Sequence, residues 1–393
     1  MRQNRSGRIT SDAAETMQKK IIMKKLTIII LLCCALSPAW ASGLNKPPVR
    51  LAIIGLDHDA VGDFISRVRD RQDVQLIGIV ESNQTLVTSY ARLFNLSTNF
   101  FYSSLDSLLA RTNVQAAAVF TRTYDHASAV EACAAHKIDV MLEKPLAVNL
   151  DEALAIASAA KSSGIQIMVD YETSWYSSFE TAYTIVHNQH AIGDLRRMVI
   201  VAGDQGPKDA GCSDQFVNWL TDPVLNGGGA LTDFGCYGAA LITWFTDDQR
   251  PDSVLAKSQN INPQVYNRVE DEATIIISYP RLQGMIQASW NLPFSERSLQ
   301  IYGNTGYVLA PRMDLLRLRL AGTEESELEL QTQPEPGRFT DDISYFAAIV
   351  RGEIKPAGPS SLQANLITTE ILDAARRSIE EKKQIDLPPT PAW

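Results

Sequence analysis

Apolar runs and stretches of helical spacing alternate along the first half of the chain that follows residue 48. Val49-Arg50-Leu51-Ala52-Ile53-Ile54-Gly55 predicts a buried strand running into a turn, residues 60–71 carry helical spacing, and residues 74–80 predict a second strand ending at Glu81. Helical stretches follow over 85–94 and 105–111, then a strand over 116–120, an alanine-rich helix over 127–136 and a strand over 139–142. A helix over 151–163, capped by Asn149 or Asp151, leads to a strand over 165–169. Strands and helices alternating at this spacing require right-handed crossovers. The expected fold of residues 46–165 is therefore an α/β Rossmann-like, doubly wound parallel sheet.

Beyond this point the texture changes. Strand-like runs at 195–202, 253–258, 273–279, 284–290, 299–302 and 315–320 have few helices between them, and their alternation predicts a mostly antiparallel sheet. Helices over 339–351 and 361–383 close the chain, and 387–393 reads as a loose tail. Residues 166–386 are expected to form an α+β domain for substrate and subunit contacts. One face of such a sheet commonly joins subunits, so a homo-oligomer is expected.

The N-terminus has a different logic. Met23-Lys24-Lys25, the apolar run 26–36 and Ser37-Pro38-Ala39-Trp40-Ala41 read as the three regions of a secretory signal peptide, preceded by an extension over 1–22 and cut after Ala41. The apolar run is shorter than the roughly 20 residues a spanning helix needs, so the mature form is not expected to be embedded in a membrane. The protein is expected to be exported to a periplasmic space, or cytoplasmic if the signal is not functional.

The whole chain carries a formal charge of -9; removing residues 1–41 takes away seven Lys/Arg against two Asp/Glu and leaves -14. That excess argues against nucleic acid as a partner, because a polyanion repels an acidic protein, and favours small-molecule work. Cys133, Cys212 and Cys236 remain with no metal-ligand spacing, so no metal site is expected.

Candidate chemistry begins at Gly55-Leu56-Asp57-His58-Asp59-Ala60, where a dinucleotide fold places its phosphate loop. Gly55 and Ala60 fit the first and third positions of G-x-G-x-x-G/A, whereas Asp57 replaces the second glycine. A carboxylate facing a pyrophosphate costs affinity, so either the loop is displaced or the side chain turns away. His58 is a candidate hydrogen-bond donor to phosphate, or a turn residue. Glu81, 26 positions after Gly55, lies where an acid holds the adenosine ribose hydroxyls; an acid there repels a 2'-phosphate and favours NAD over NADP.

Val140-Met141-Leu142-Glu143-Lys144-Pro145 is preceded by Thr121-Arg122-Thr123-Tyr124-Asp125-His126. It is followed by Gly193-Asp194-Leu195 and by Gly227-Gly228-Gly229-Ala230-Leu231-Thr232-Asp233-Phe234-Gly235-Cys236-Tyr237. In this order the chain, from Val49 to its last helix, resembles the glucose-fructose oxidoreductase and inositol 2-dehydrogenase (Gfo/Idh/MocA) family. The resemblance implies a catalytic group of Lys144, Asp233 and Tyr237. It implies cofactor contacts from Gly55, Leu56, His58, Glu81, Thr121, His126, Glu143 and Lys144. Tyr237 stands where inositol-type members carry histidine.

Oxidising a secondary alcohol needs a base for the hydroxyl proton, and a tyrosine beside an ammonium group can have its pKa lowered toward that task. Tyr237 is therefore the expected general acid/base and Lys144 the group that orients the hydroxyl, with the two roles exchangeable. Tyr171 and Trp175 follow the last strand of the first half and should overhang its edge, where aromatic faces suit a sugar ring.

The expected activity is hydride transfer between NAD(P) and a hydroxyl or carbonyl of a sugar or polyol. Two alternatives remain open: an NAD-assisted glycoside hydrolase or lyase acting by transient oxidation, and a sugar-binding protein without turnover. Export would deliver an unfolded chain to a compartment without free nicotinamide, so the cofactor must be kept tightly or recycled within one cycle.

Overall fold

The first strand of this computed structural model, β1 (Val49–Ile54), explains why its sequence is apolar at successive positions. Leu51 and Ile53 belong to one core cluster and Ala52 and Ile54 to another, so the strand is covered on both faces. The structure describes residues 46–322, 327–335, 337 and 339–389. The expected signal segment, residues 1–41, and the end of the expected tail lie outside them. The described residues of Pro47–Pro334 and those from Phe339 onward form one unit.

β1 pairs in parallel with β2 (Val74–Val80) and, across the crossover, with β4 (Ala116–Val119). β5 (Asp139–Glu143), β6 (Ile167–Asp170) and the short β3 (Phe101–Tyr102) complete a six-stranded sheet ordered β3-β2-β1-β4-β5-β6. All its pairs are parallel, and the order reverses between β1 and β4. In open sheets this reversal opens a crevice at the carboxyl ends of the strands. Helix α1 (Ala60–Val68) begins on that edge and packs Phe64 and Ile65 against the face of Leu51 and Ile53.

Two expectations need correction. The first sheet runs past residue 165, because β6 pairs with β5 from Val140↔Ile167 to Glu143↔Asp170. Its core also recruits a helix from the far end of the chain, Asp342–Val350, whose Ile343 and Phe346 pack in the cluster of Leu51 and Ile53. The boundary at 165 cuts off the strand expected over 165–169, which one helix joins to β5, and the far helix is missed because contacts of that range leave no local periodicity.

Nine strands form the second sheet, with β7 (Leu195–Gly203) at its centre between β10 (Gln283–Ser289) and β11 (Glu296–Gly303). Only the β7–β10 pair is parallel. β12 (Gly306–Arg312) was not anticipated because Pro311 breaks the pattern; its register shifts between Leu309 and Arg312, and proline is tolerated at such irregularities. The helix Gly235–Phe245 is apolar on nearly every side and almost wholly buried, as such a helix must be. Asn149, not Asp151, caps the helix Leu150–Ser163, accepting the Glu152 amide at 2.9 Å.

The recruited helix presents Asp342 to the cavity wall and its apolar face to the core. Phe346 is 2% exposed within that core, and Phe346→Ala is expected to lower unfolding stability by about 3 kcal/mol in chemical denaturation.

Candidate active site

Gly55 follows β1 with φ +83°, and a Cβ there would lie 2.5 Å from Thr121 Cγ2, so the turn into the crevice requires glycine. Glu81 closes the adjoining strand. Its carboxylate accepts the amides of Leu56 at 3.0 Å and Asn83 at 2.7 Å, which fixes an acid beside the Gly55 turn. Burial raises the Glu81 pKa, with the Asn83 and Leu56 amides opposing and the nearby Asp57 adding to it. A glycine turn with an acid at the next strand end fits the ribose and phosphate portions of a dinucleotide.

Asp57 does turn away from the loop. Its Oδ1 accepts Gln215 Nε2 at 2.9 Å, and its carbonyl accepts the indole N–H of Trp219 at 3.0 Å. Asp59 is held in the same way, accepting the Ser213 amide at 2.7 Å and its hydroxyl at 2.6 Å. The loop is thus latched to the helix Asp214–Leu220 of the second half of the chain.

His58 lies beneath this latch with its ring centroid 4.6 Å from Phe216 and 5.9 Å from Trp219. Burial lowers its pKa to about 3, helped by Lys144. It is therefore neutral, and since Nδ1 accepts the Ala60 amide at 3.2 Å, only Nε2 remains as a donor. His126, expected near the cofactor, stands behind the Glu143-Lys144-Pro145 turn, with Nδ1 3.1 Å from the Pro145 carbonyl oxygen. Burial lowers its pKa to about 4, so it braces the turn as a neutral donor.

At that turn the Lys144–Pro145 peptide is cis. Lys144 Nζ donates to Asp233 Oδ1 and, at 3.2 Å, to the Asp233 carbonyl oxygen. The two side chains are 11% and 8% exposed, so the pair is nearly dry. Asp233 Oδ2 accepts the indole N–H of Trp290 at 2.9 Å.

Burial pulls the Lys144 pKa down, but the Asp233 carboxylate outweighs it and holds lysine above its ordinary value. Burial likewise pushes Asp233 up, but Lys144, Trp290 and Arg297 hold it below its ordinary value. Both groups stay charged. Asp233 ends the short helix Ala230–Asp233 and Tyr237 lies in the next, after a break at Phe234, so the two do not share one continuous helix face.

The Tyr237 ring centroid is 5.2 Å from Lys144 Nζ and 5.0 Å from Arg297 Cζ. Burial nevertheless raises the phenol above the usual tyrosine value, with Lys144 and Arg297 only partly opposing. The expectation of a lowered pKa is therefore corrected: Tyr237 is protonated at neutral pH. Tyr171 also differs from expectation. It is fully buried, its hydroxyl donates to Asn365 Oδ1 at 2.9 Å, and its ring backs Tyr237 edge-on at 5.4 Å instead of facing a ligand.

Lys144, Asp233, Tyr237, His58 and Trp175 line one cavity of about 610 Å³, together with residues the sequence did not single out, among them Arg297, Asp170, Phe216 and Arg67. Trp175 donates its indole N–H to Asp170 Oδ1 at 3.3 Å. Glu143 accepts the Lys144 amide at 3.1 Å, and burial pushes its carboxyl up to about 7 with Lys144 opposing. Asp170 is raised by burial and by the neighbouring Asp342 and Glu143 carboxylates. Arg297 lies on a strand with no motif, and Arg67 at the far end of α1, so neither carries a local sequence signal.

Comparison with known proteins agrees with this geometry. Residues 49–171 match the profile described as "Oxidoreductase family, NAD-binding Rossmann fold", and residues 179–309 match the GFO/IDH/MocA C-terminal domain. The trans-1,2-dihydrobenzene-1,2-diol dehydrogenase of Sus scrofa is 24% identical over 316 residues, 78% of this chain and 88% of that one. The scyllo-inositol 2-dehydrogenase (NADP(+)) of Bacillus subtilis is 22% identical over 337 residues, 84% and 97% of the two chains.

Among solved structures, an inositol dehydrogenase homolog of Azotobacter vinelandii complexed with NAD+ superposes with a TM-score of 0.76 at 17% identity, covering 89% of this chain and all (100%) of that one. The aldose-aldose oxidoreductase of Caulobacter crescentus complexed with glycerol gives 0.73 at 20% identity, covering 86% and 100%.

The buried pair sets a test of its own. In Lys144→Met, Asp233 keeps only the Trp290 donor, so its folded pKa should rise above the unfolded value. Stability should then fall as pH increases through that range, with a loss of about 3 kcal/mol at pH 8 and a much smaller one at pH 4 in urea denaturation.

Proposed function

The chain belongs to the Gfo/Idh/MocA oxidoreductase family, and we propose that it is an NAD(P)-dependent dehydrogenase acting on a secondary hydroxyl, or the matching carbonyl, of a sugar or polyol. The observation that carries this reading is the dry Lys144–Asp233 pair beside Tyr237, in a cavity at the carboxyl edge of a parallel sheet. Bound nicotinamide supplies or accepts the hydride. The Gly55 turn, Thr121 and Glu81 are the groups that would hold the dinucleotide.

Lysine has three N–H donors. Two of those of Lys144 go to Asp233, which aims the third and leaves it for a substrate oxygen. A fixed ammonium in a desolvated site stabilises alkoxide charge far better than one in water. Tyr237, holding its proton, donates to the oxygen during reduction; during oxidation it must first be deprotonated, and then accepts the hydroxyl proton.

We further propose NAD as the preferred cofactor, because Glu81 would meet a 2'-phosphate with like charge. The reading also takes the protein as exported. Retaining cofactor outside the cytoplasm then needs a physical hold, and the latch of Asp57 and Asp59 onto Ser213, Gln215 and Trp219 supports one.

Two outcomes are expected. Glu81→Gln should weaken NAD binding by about tenfold while narrowing the difference between NAD and NADP, read by fluorescence titration. Wild-type protein binding NADP as tightly as NAD would count against the assignment. Tyr237→Phe should slow nicotinamide reduction by sugars about a hundredfold or more. Because the phenol pKa is raised, the wild-type oxidation rate should climb with pH and still be climbing at pH 9; a plateau near pH 7 would mean another base. Release of a chromogenic aglycone with no net nicotinamide reduction would favour the hydrolase alternative.

A further inference from the structure

Among the described residues that line the cavity, Arg297, on β11, is the one cation with no carboxylate in contact. Arg67, also on the cavity wall, and the largely enclosed Arg250 are each bonded through two nitrogens to one carboxylate, Asp342 and Glu370. Lys144 is neutralised by Asp233. Among the described residues Arg297 has no such partner. Its Nη1 donates to the carbonyls of Gly203 at 2.9 Å and Glu296 at 2.8 Å and to Ser295 Oγ at 3.2 Å, while its Nε is buried with no hydrogen-bond partner at all.

A buried donor left unsatisfied is costly and unusual in a native fold. Here the guanidinium is held in place by packing, 4.4 Å from the Phe234 ring centroid and 5.0 Å from that of Tyr237. Lys144 Nζ looks onto the same two rings from 5.8 and 5.2 Å. One monosaccharide can therefore present its reacting hydroxyl to Lys144 and Tyr237 and another substituent to Arg297.

We propose that the sugar taken by this site carries a carboxylate, as a uronate does, and that Arg297 binds it. The inference rests on the dehydrogenase reading for the placement of the reacting hydroxyl. A planar carboxylate matches the planar fork of a guanidinium. A phosphate, with its greater charge, would call for a second unpaired cation, and the cavity has none among the described residues. Two acids lie near Arg297 without bonding to it: Glu172 accepts the Tyr176 hydroxyl and Asp204 accepts the Gly206 amide at 2.7 Å, and both help hold the Arg297 pKa up from a distance. They remain acceptors for the sugar's own hydroxyls.

The test is calorimetric titration of the NAD-saturated protein with D-glucuronate and D-galacturonate against D-glucose and D-galactose, with nicotinamide absorbance followed in parallel. At least one uronate should bind roughly tenfold or more tightly than its neutral counterpart. That ratio should collapse toward one in Arg297→Gln and be partly kept in Arg297→Lys, both variants being checked for an unchanged circular dichroism spectrum.

Neutral sugars bound as well as the uronates, no binding of either, or tighter binding of glucose 6-phosphate than of glucuronate would overturn the proposal. Reduction of nicotinamide by neutral sugars without a uronate preference would remove the carboxylate site and leave the dehydrogenase. Arg297-dependent uronate binding with no absorbance change would support the carboxylate site and sink the dehydrogenase reading.

Discussion

A single dry ion pair organises the centre of this molecule. Lys144 comes from the end of a strand in the parallel sheet and Asp233 from a helix that packs on the second sheet, and neither could stay charged at its depth without the other. An unpaired buried charge costs several kcal/mol, so the pair ties the two halves of the fold into one geometry. His126 behind the turn and Trp290 behind the aspartate complete the bracing. What remains free on Lys144 is one donor direction, and the cavity lies beside it.

The same economy governs the loop after β1. A carboxylate at the second position of a phosphate loop conflicts with an anion, and the conflict is resolved by tertiary contacts that draw Asp57 and Asp59 onto the helix Asp214–Leu220. That helix brings Phe216 and Trp219 over His58, and burial strips the imidazole of its charge. Loop, helix and ring form one packed unit over the crevice, so a change in the latch is felt at the cavity wall.

Burial rather than local charge decides protonation throughout the cavity. Tyr237 has two cations within about 5 Å of its ring and still keeps its proton, because desolvating the phenolate costs more than those charges return. Glu143 and Asp170, paired across neighbouring strand ends, are raised for the same reason. Where opposite charges touch, as in Lys144–Asp233, pairing wins over burial. Distance separates the two outcomes: contact neutralises the cost of burial, and a few ångströms of separation do not.

Much of this could be read from the chain alone. The period of the apolar runs identifies the doubly wound sheet, since a strand buried on both faces must be apolar at successive positions, as β1 is. Gly55, Glu81 and Lys144 announce themselves by residue type at the ends of predicted strands, and Asp233 and Tyr237 through the resemblance that their glycine-rich segment carries. Their relations were decided only by tertiary structure. The helix Asp342–Val350 packs in a core far from its sequence neighbourhood, Tyr171 turns inward to Asn365, and Arg297 reaches the cavity from a strand with no motif. Periodicity and residue type are local, and they fix which face a side chain takes. Whether that side chain meets a partner, keeps its proton or is left with an unpaired charge depends on burial and on contacts between residues far apart in the chain.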